Sequence, residues 1–137
     1  RDCLLSRGLG DVYKRQTEKR VAQLTEHTGV KVTLYDLNDR SELKEKIFVS
    51  DLLVNATKVG SGELEGQSLV DEEMLHEGLL VADTVYKPLE TKLIKMAKDY
   101  GLVTAGGVGM LLQQAALAEK IWFGTDMPVA YIEKNFF

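Results

Sequence analysis

The sequence predicts an α/β fold with a mainly parallel sheet. Short apolar runs alternate along the chain with segments of helical periodicity, and the runs are continuously apolar rather than alternating with polar residues. Strands of parallel sheets show this pattern because helices cover both of their faces. The last run leads into Gly106, Gly107 and Gly109, where a turn from strand to helix lets the backbone come close to a ligand.

Composition limits the possible classes of protein. The 137 residues are 45% hydrophobic and 28% charged, with a net charge of −4, which is ordinary for one globular domain. The mild acidity argues against a nucleic-acid surface, and no apolar run reaches the roughly 18 residues that span a membrane. The single cysteine, Cys3, forms no internal disulfide and fits the cytoplasm. His27 and His76 lie far apart, so no metal site is predicted.

The first sixteen residues differ from the rest. They show no sustained helical or alternating period, and they include Cys3 and four of the seventeen Lys and Arg residues. We interpret residues 1–16 as a non-native or artefactual leader and residues 17–137 as the domain. The alternative is that residues 1–16 form a genuine divergent strand and loop.

The elements follow in order from Thr17, which is predicted to cap a helix that ends at Gly29. Residues 30–35 (VKVTLY) are rich in β-branched residues and predict a strand, and a helix follows from Asp39 or Ser41 to Phe48. Further strands are predicted at 52–57, 79–85 and 102–104, and further helices at 71–75, at 90–100, from about Met110, and at 129–135.

Ligands of parallel sheets bind beyond the carboxyl ends of the strands. Those ends are 55–58 (NATK), 84–87 (TVYK) and 105–107 (AGG), which combine small and hydroxylated residues with a phenol and two lysines. Such a set suits a flat ligand with polar groups. Taken singly, Thr84 also fits an ordinary strand residue, Tyr86 a core phenol and Lys58 a solvated charge. Gln114 either binds a ligand or, like Gln113, faces water.

Three motifs in this order, LVNATKVG, VADTVYKPLETKL and GGVGMLLQQAALAEKIWFG, resemble the carboxyl-terminal half of shikimate dehydrogenases, most of all the shikimate/quinate dehydrogenase branch. The resemblance covers residues 17–137. It implies an incomplete Rossmann-like sheet with flanking helices. The strands predicted at 30–35, 52–57, 79–85 and 102–104 would take the third to sixth positions of this sheet. It also implies NAD- or NADP-dependent, reversible hydride transfer between shikimate or quinate and the 3-dehydro form.

The same resemblance assigns residue roles. The cofactor site is expected to include Lys58, Thr84, Val85, Tyr86, Lys87 and Gly107, while Tyr86 and Gln114 are expected to bind substrate. Asn55 and Thr57 are expected to hold the strand end open. No catalytic residue is assigned, because the family's catalytic lysine and aspartate lie in an amino-terminal domain that this sequence does not match. The chain by itself is therefore expected to be inactive. It is also expected not to be fully stable, because the first two strands of the Rossmann-like sheet are absent or doubtful and their loss leaves unpaired strand edges.

Departures from the family pattern leave several points open. Ser61, Gly62 and Glu63 stand where the family has methionine and proline after its NATxVG motif, and Lys87 replaces a more usual asparagine or glutamine. Lys14 and Arg15 would favour NADP, but they lie in the doubtful leader, so NAD and NADP both remain open. The complete protein is a possible homodimer. The alternative function is a non-catalytic Rossmann-like nucleotide-binding or interaction module.

Overall fold

The computed structural model describes residues 11–137, with side chains from Thr17 onward. The chain divides into two compact units, residues 1–50 and residues 51–137. In the first unit the described elements are two helices, α1 (Asp11–Thr28) and α2 (Arg40–Phe48). The Asp39 side chain caps α2 by accepting a hydrogen bond from the Glu42 amide at 2.9 Å. The second helix therefore begins where the sequence predicted.

Two predictions for the first unit are wrong. Helix α1 begins at Asp11 rather than Thr17, because residues 11–16 (DVYKRQ) contain no glycine or proline and include several good helix formers. Residues 30–35 form no strand, although their composition favours one. A strand needs a hydrogen-bonded neighbour, and the described part of this unit contains only helices. Residues 1–10 of the predicted leader lie outside the described residues, and the boundary after residue 16 stays a prediction.

The second unit is built on a parallel sheet of three strands in the order β1 (Leu52–Asn55), β2 (Leu80–Asp83) and β3 (Thr104–Ala105). Leu53 pairs with Val81, and Val81 pairs in turn with Thr104. This confirms the predicted α/β fold, the parallel direction and the order of these three strands. Strands β1 and β2 are shorter than the apolar runs that predicted them, because those runs continue into turns, and β3 begins only at the last residue of its predicted run.

Helix α3 (Lys92–Asp99) contacts β2 and β3 and buries Leu93, Ile94 and Ala97. One face of the sheet, with Leu53 and Val81, belongs to the core of this unit. On the other face Leu52, Val54 and Leu80 are about half exposed. The continuously apolar runs predicted strands covered on both faces, and in this chain one face is only partly covered.

Helices α4 (Gly107–Phe123) and α5 (Val129–Phe136) contact each other. Helix α4 begins at Gly107, three residues before the predicted start, and ends at Gly124, whose φ of 71° is left-handed and suits glycine. Between β1 and β2 the chain forms two short 3₁₀ turns, Gly62–Leu64 and Glu72–Met74, and the second lies within the helix predicted at 71–75. No helix among residues 11–137 is long and apolar enough to cross a membrane.

Candidate functional site

The carboxyl ends of the three parallel strands lie side by side. Asn55 at the end of β1 is in register with Asp83 at the end of β2, and Ala82 is in register with Ala105 at the end of β3. Each strand leads from this edge into a turn that carries predicted site residues. The sheet thus brings the three predicted segments to the edge where ligands of parallel sheets bind.

The turn after β2 packs tightly on the start of α4. The Gly107 amide donates a hydrogen bond to the Val85 carbonyl at 3.3 Å. A Cβ atom at Gly107 would lie 2.5 Å from the carbonyl oxygens of both Thr84 and Val85, which is far closer than atoms can approach. Packing within the protein, between this turn and α4, therefore already requires a glycine at position 107. Thr84, Val85 and Gly107 are brought together as predicted.

Asn55 ties the turn after β1 to the turn after β2. Its Nδ2 donates to the Val59 carbonyl at 2.9 Å and to Asp83 Oδ1 at 3.0 Å. Its Oδ1 accepts from the Thr57 amide at 3.1 Å and from the Thr57 hydroxyl at 2.8 Å. The Thr84 amide and hydroxyl both donate to the Asn55 carbonyl, at 3.0 and 3.1 Å. The Asn55 side chain is thus occupied by structural hydrogen bonds, in keeping with its expected role at the strand end.

The sequence reasoning missed two residues, Asp83 and Thr91. Asp83 is 3% exposed and Thr91 is 2% exposed. The Thr91 hydroxyl donates to Asp83 Oδ2 at 2.7 Å and accepts from the Ile94 amide at 3.3 Å, which caps α3. A signal was available: Asp83 is the one carboxylate within the four strands that the sequence predicted, and Thr91 directly precedes the regular apolar period of α3.

Four of the predicted contact residues lie at the surface. Tyr86 is 51% exposed, and Lys58 and Lys87 are also exposed. Within residues 17–137, no hydrogen bond or ion pair involves the side chains of Lys58, Tyr86, Lys87 or Gln114. The alternative interpretation of Tyr86 as a core phenol is therefore wrong. These side chains are accessible to a ligand at the strand ends.

Gln114 lies farther along α4 than the other predicted residues. It follows Gly107 by seven residues, which places it on the same side of the helix and about 10 Å along the axis. Its side chain is exposed, as is that of Gln113. Gln114 borders a cleft of about 720 Å³, together with Trp122, Phe123 and Met127.

The start of α4 has the properties of a polar ligand site. Gly106 precedes the helix and provides no side-chain cap, and the space around Gly109 is open. The first amides of a helix without a cap carry partial positive charge and can bind anionic or carbonyl groups. Within residues 11–137, no group of three or more His, Cys, Asp or Glu residues could hold a metal ion.

Comparison with known proteins agrees with this geometry. The model of the shikimate 5'-dehydrogenase C-terminal domain matches residues 107–134. Shikimate dehydrogenase (NADP(+)) of Listeria monocytogenes is 38% identical over 128 residues, which are 93% of this chain and 44% of that protein. The chain is homologous to the carboxyl-terminal part of the shikimate dehydrogenases. This confirms the resemblance inferred from the three motifs.

Two further proteins extend the comparison. A quinate/shikimate dehydrogenase of Escherichia coli is 42% identical, over 82% of this chain and 39% of that protein. The crystal structure of shikimate 5-dehydrogenase from Listeria monocytogenes, in complex with shikimate and NAD, matches with a TM-score of 0.87 and 36% identity, over 99% of this chain and 47% of that one. The chain therefore spans less than half the length of each of these homologues, and the fold it shares with them is Rossmann-like.

Proposed function

We propose that this chain is the carboxyl-terminal nucleotide-binding part of an NAD(P)-dependent shikimate or quinate dehydrogenase. The complete protein would catalyse reversible hydride transfer between shikimate or quinate and its 3-dehydro form. The observation that carries this proposal is the contact between the Thr84–Val85 backbone and Gly107 at the carboxyl edge of the parallel sheet. It forms a surface of backbone and small residues beside the uncapped start of α4.

The residues at this edge fit a nicotinamide cofactor. Thr84, Val85 and Gly107 form the tightly packed backbone at the base of this edge, while Lys58 and the turn with Tyr86 and Lys87 form its exposed rim. The cofactor, when bound, supplies or accepts the hydride. The polypeptide binds and orients the two reactants, since no catalytic residue is assigned in this chain. The homologues carry both NAD and NADP in their names, and either cofactor fits the proposal.

Tyr86 and Gln114 are proposed to bind the substrate. The Tyr86 hydroxyl is accessible at the strand ends, and the Gln114 amide is accessible on the same side of α4 as Gly107. An amide and a phenol can donate to the carboxylate and hydroxyl groups of a small cyclic acid. The cytoplasmic location and the homodimer of the complete protein stay predictions.

Gln114→Ala provides the test, in the complete protein that contains this chain. The Michaelis constant for shikimate or quinate should rise about tenfold or more, because a hydrogen bond to a charged group is lost. The Michaelis constant for the nicotinamide cofactor should change little. Gln113→Ala, one residue earlier and equally exposed, is the matched control and should leave both constants unchanged.

Two outcomes would contradict the proposal. If Gln114→Ala raised the Michaelis constant for the cofactor more than that for the substrate, the assignment of Gln114 to the substrate site would be wrong. Dinucleotide binding without any turnover of shikimate or quinate by the complete protein would instead support the alternative, a non-catalytic nucleotide-binding module.

A further inference from the structure

The carboxyl group of Asp83 joins three segments of the second unit. Its Oδ1 accepts hydrogen bonds from Asn55 Nδ2 at 3.0 Å and from the Val85 amide at 2.9 Å. Its Oδ2 accepts from the Thr91 hydroxyl at 2.7 Å. The side chain is buried and pairs with no cation among residues 17–137. A buried acidic side chain in this situation depends on its hydrogen bonds, so their geometry is strongly constrained.

These bonds fix both ends of the loop that carries the exposed rim of the site. Val85 lies at the start of this loop, and Thr91 lies at its end, where it caps α3. Tyr86 and Lys87 lie between these two anchors. One carboxyl group therefore sets where the loop leaves the sheet and where it joins the next helix.

The position of Val85 in turn sets the contact with α4. The Val85 carbonyl accepts a hydrogen bond from the Gly107 amide, and the backbone of this turn leaves no room for a side chain at Gly107. A displacement of Val85 would therefore alter this hydrogen bond and the close approach of the turn to α4. The Asp83 hydrogen bonds and the Gly107 contact thus form one connected chain of interactions.

We propose that Asp83 is a positioning residue for the cofactor-binding turn, with Thr91 as its partner. This inference rests on the proposed function of the site. Asp83 does not touch the cofactor. It holds Thr84 and Val85 against Gly107, and the Thr91 hydroxyl holds the far end of the loop. Loss of this arrangement weakens cofactor binding more than it slows turnover at saturating cofactor.

Thr91→Val is the test variant, because valine has nearly the same shape but cannot donate to Asp83 Oδ2. Thr91→Ser keeps the hydroxyl and is the matched control. In the complete protein that contains this chain, Thr91→Val should speed hydrogen exchange of the Gly107 amide about tenfold or more relative to the Val81 amide, which donates to the Val103 carbonyl in the sheet. Thr91→Ser should remain within about threefold of the original chain.

A second arm uses the same protein. Thr91→Val should raise the Michaelis constant for the nicotinamide cofactor about tenfold while kcat changes less than about threefold. Asp83→Asn should be tolerated, since its amide can accept from Asn55 and Val85 and donate to the Thr91 hydroxyl. Asp83→Ala should lose all three bonds and behave at least as poorly as Thr91→Val.

The two arms separate this inference from the proposed function. If Thr91→Val leaves both Gly107 exchange and the cofactor constant unchanged, Thr91 is only a helix cap and the inference is wrong. If Thr91→Ser behaves like Thr91→Val, the hydroxyl is not responsible and the inference is also wrong. If Gly107 exchange changes as expected but the original complete protein binds no dinucleotide, the proposed function fails and the role in the cofactor site fails with it, while the positioning of the turn stands.

Discussion

Helices α3 and α4 each follow a strand of the same parallel sheet, yet they begin and pack differently. Helix α3 starts with a side-chain cap from Thr91 and buries Leu93, Ile94 and Ala97. Helix α4 starts at Gly107 and has no side-chain cap from Gly106, and its apolar residues Leu117, Ile121 and Trp122 are exposed. Helix α3 has a side-chain cap and covers the sheet, while α4 lacks a side-chain cap and leaves much of its apolar surface exposed.

This difference separates two uses of the same strand–turn–helix pattern. A capped start satisfies the first amides internally and contributes to stability, whereas an uncapped start keeps those amides available to a ligand. The two helices also show that an apolar helix face does not by itself indicate a core contact within the chain. Both lessons can be tested by matched substitutions in the two helices.

The largest expected effect is that of Gly107→Val at the start of α4. The new Cβ would collide with the carbonyl oxygens of Thr84 and Val85, which are backbone atoms and cannot turn aside. We expect a loss of about 3 kcal/mol or more in the free energy of unfolding, at or above the upper range for overpacking. Urea denaturation of the complete protein that contains this chain measures this loss.

Gly109→Ala is the control for that substitution. It lies in the same turn of α4 with nothing within 4 Å of its added Cβ, so it should stabilise the helix by about 0.5–1 kcal/mol. If Gly107→Val were as stable as the original chain, the tight contact between the turn and α4 would not exist in solution.

The next effect compares the same residue type on the two helices. Ile94 of α3 is 3% exposed and Ile121 of α4 is 71% exposed. Ile94→Ala should cost about 2–5 kcal/mol through the lost packing and the cavity, whereas Ile121→Ala should change stability by less than about 0.5 kcal/mol. The free energy of unfolding of both variants provides the comparison. Equal losses would show that Ile121 is buried in solution.

The smallest effect concerns the exposed ion pair at α3. Lys98 Nζ donates to Glu90 Oε1 at 2.7 Å, and this hydrogen bond, with the positive charge of Lys98, lowers the pKa of the Glu90 carboxyl. Because folding lowers the pKa of Glu90, the ionised carboxyl stabilises the fold at pH values above its ordinary pKa of 4.5. This contribution is lost as the pH falls through the lowered pKa. Since both side chains are exposed, the contribution to stability is small.

Lys98→Gln should return the Glu90 pKa toward its ordinary value, as measured by an NMR titration of the Glu90 carboxyl. Lys95→Gln is the control. Lys95 acts on Glu90 only through its charge, so this substitution should raise the Glu90 pKa less than Lys98→Gln does. An unchanged Glu90 pKa in Lys98→Gln would mean that this ion pair does not form in solution.

Much of the candidate site could be predicted, but not how its parts contact one another. The apolar runs and the turns after them placed Thr84, Val85 and Gly107 at one edge of the sheet, and the structure confirms that they meet. The role of Asp83 was not predicted, because its partners Asn55 and Thr91 lie 28 and 8 residues away along the chain. Hydrogen bonds of this kind leave no periodic pattern in a sequence.

The sequence by itself determined the alternation of strands and helices, the parallel sheet, the start of α2 after Asp39 and the family resemblance. These features depend on local periodicity, on caps and on motif order, all of which are written along the chain. Only the tertiary structure decided that residues 30–35 form no strand, that Ile94 is buried while Ile121 is exposed, and that Gly107 must be free of a side chain. Strand pairing, burial and close approach depend on which distant segments become neighbours, and folding alone establishes that.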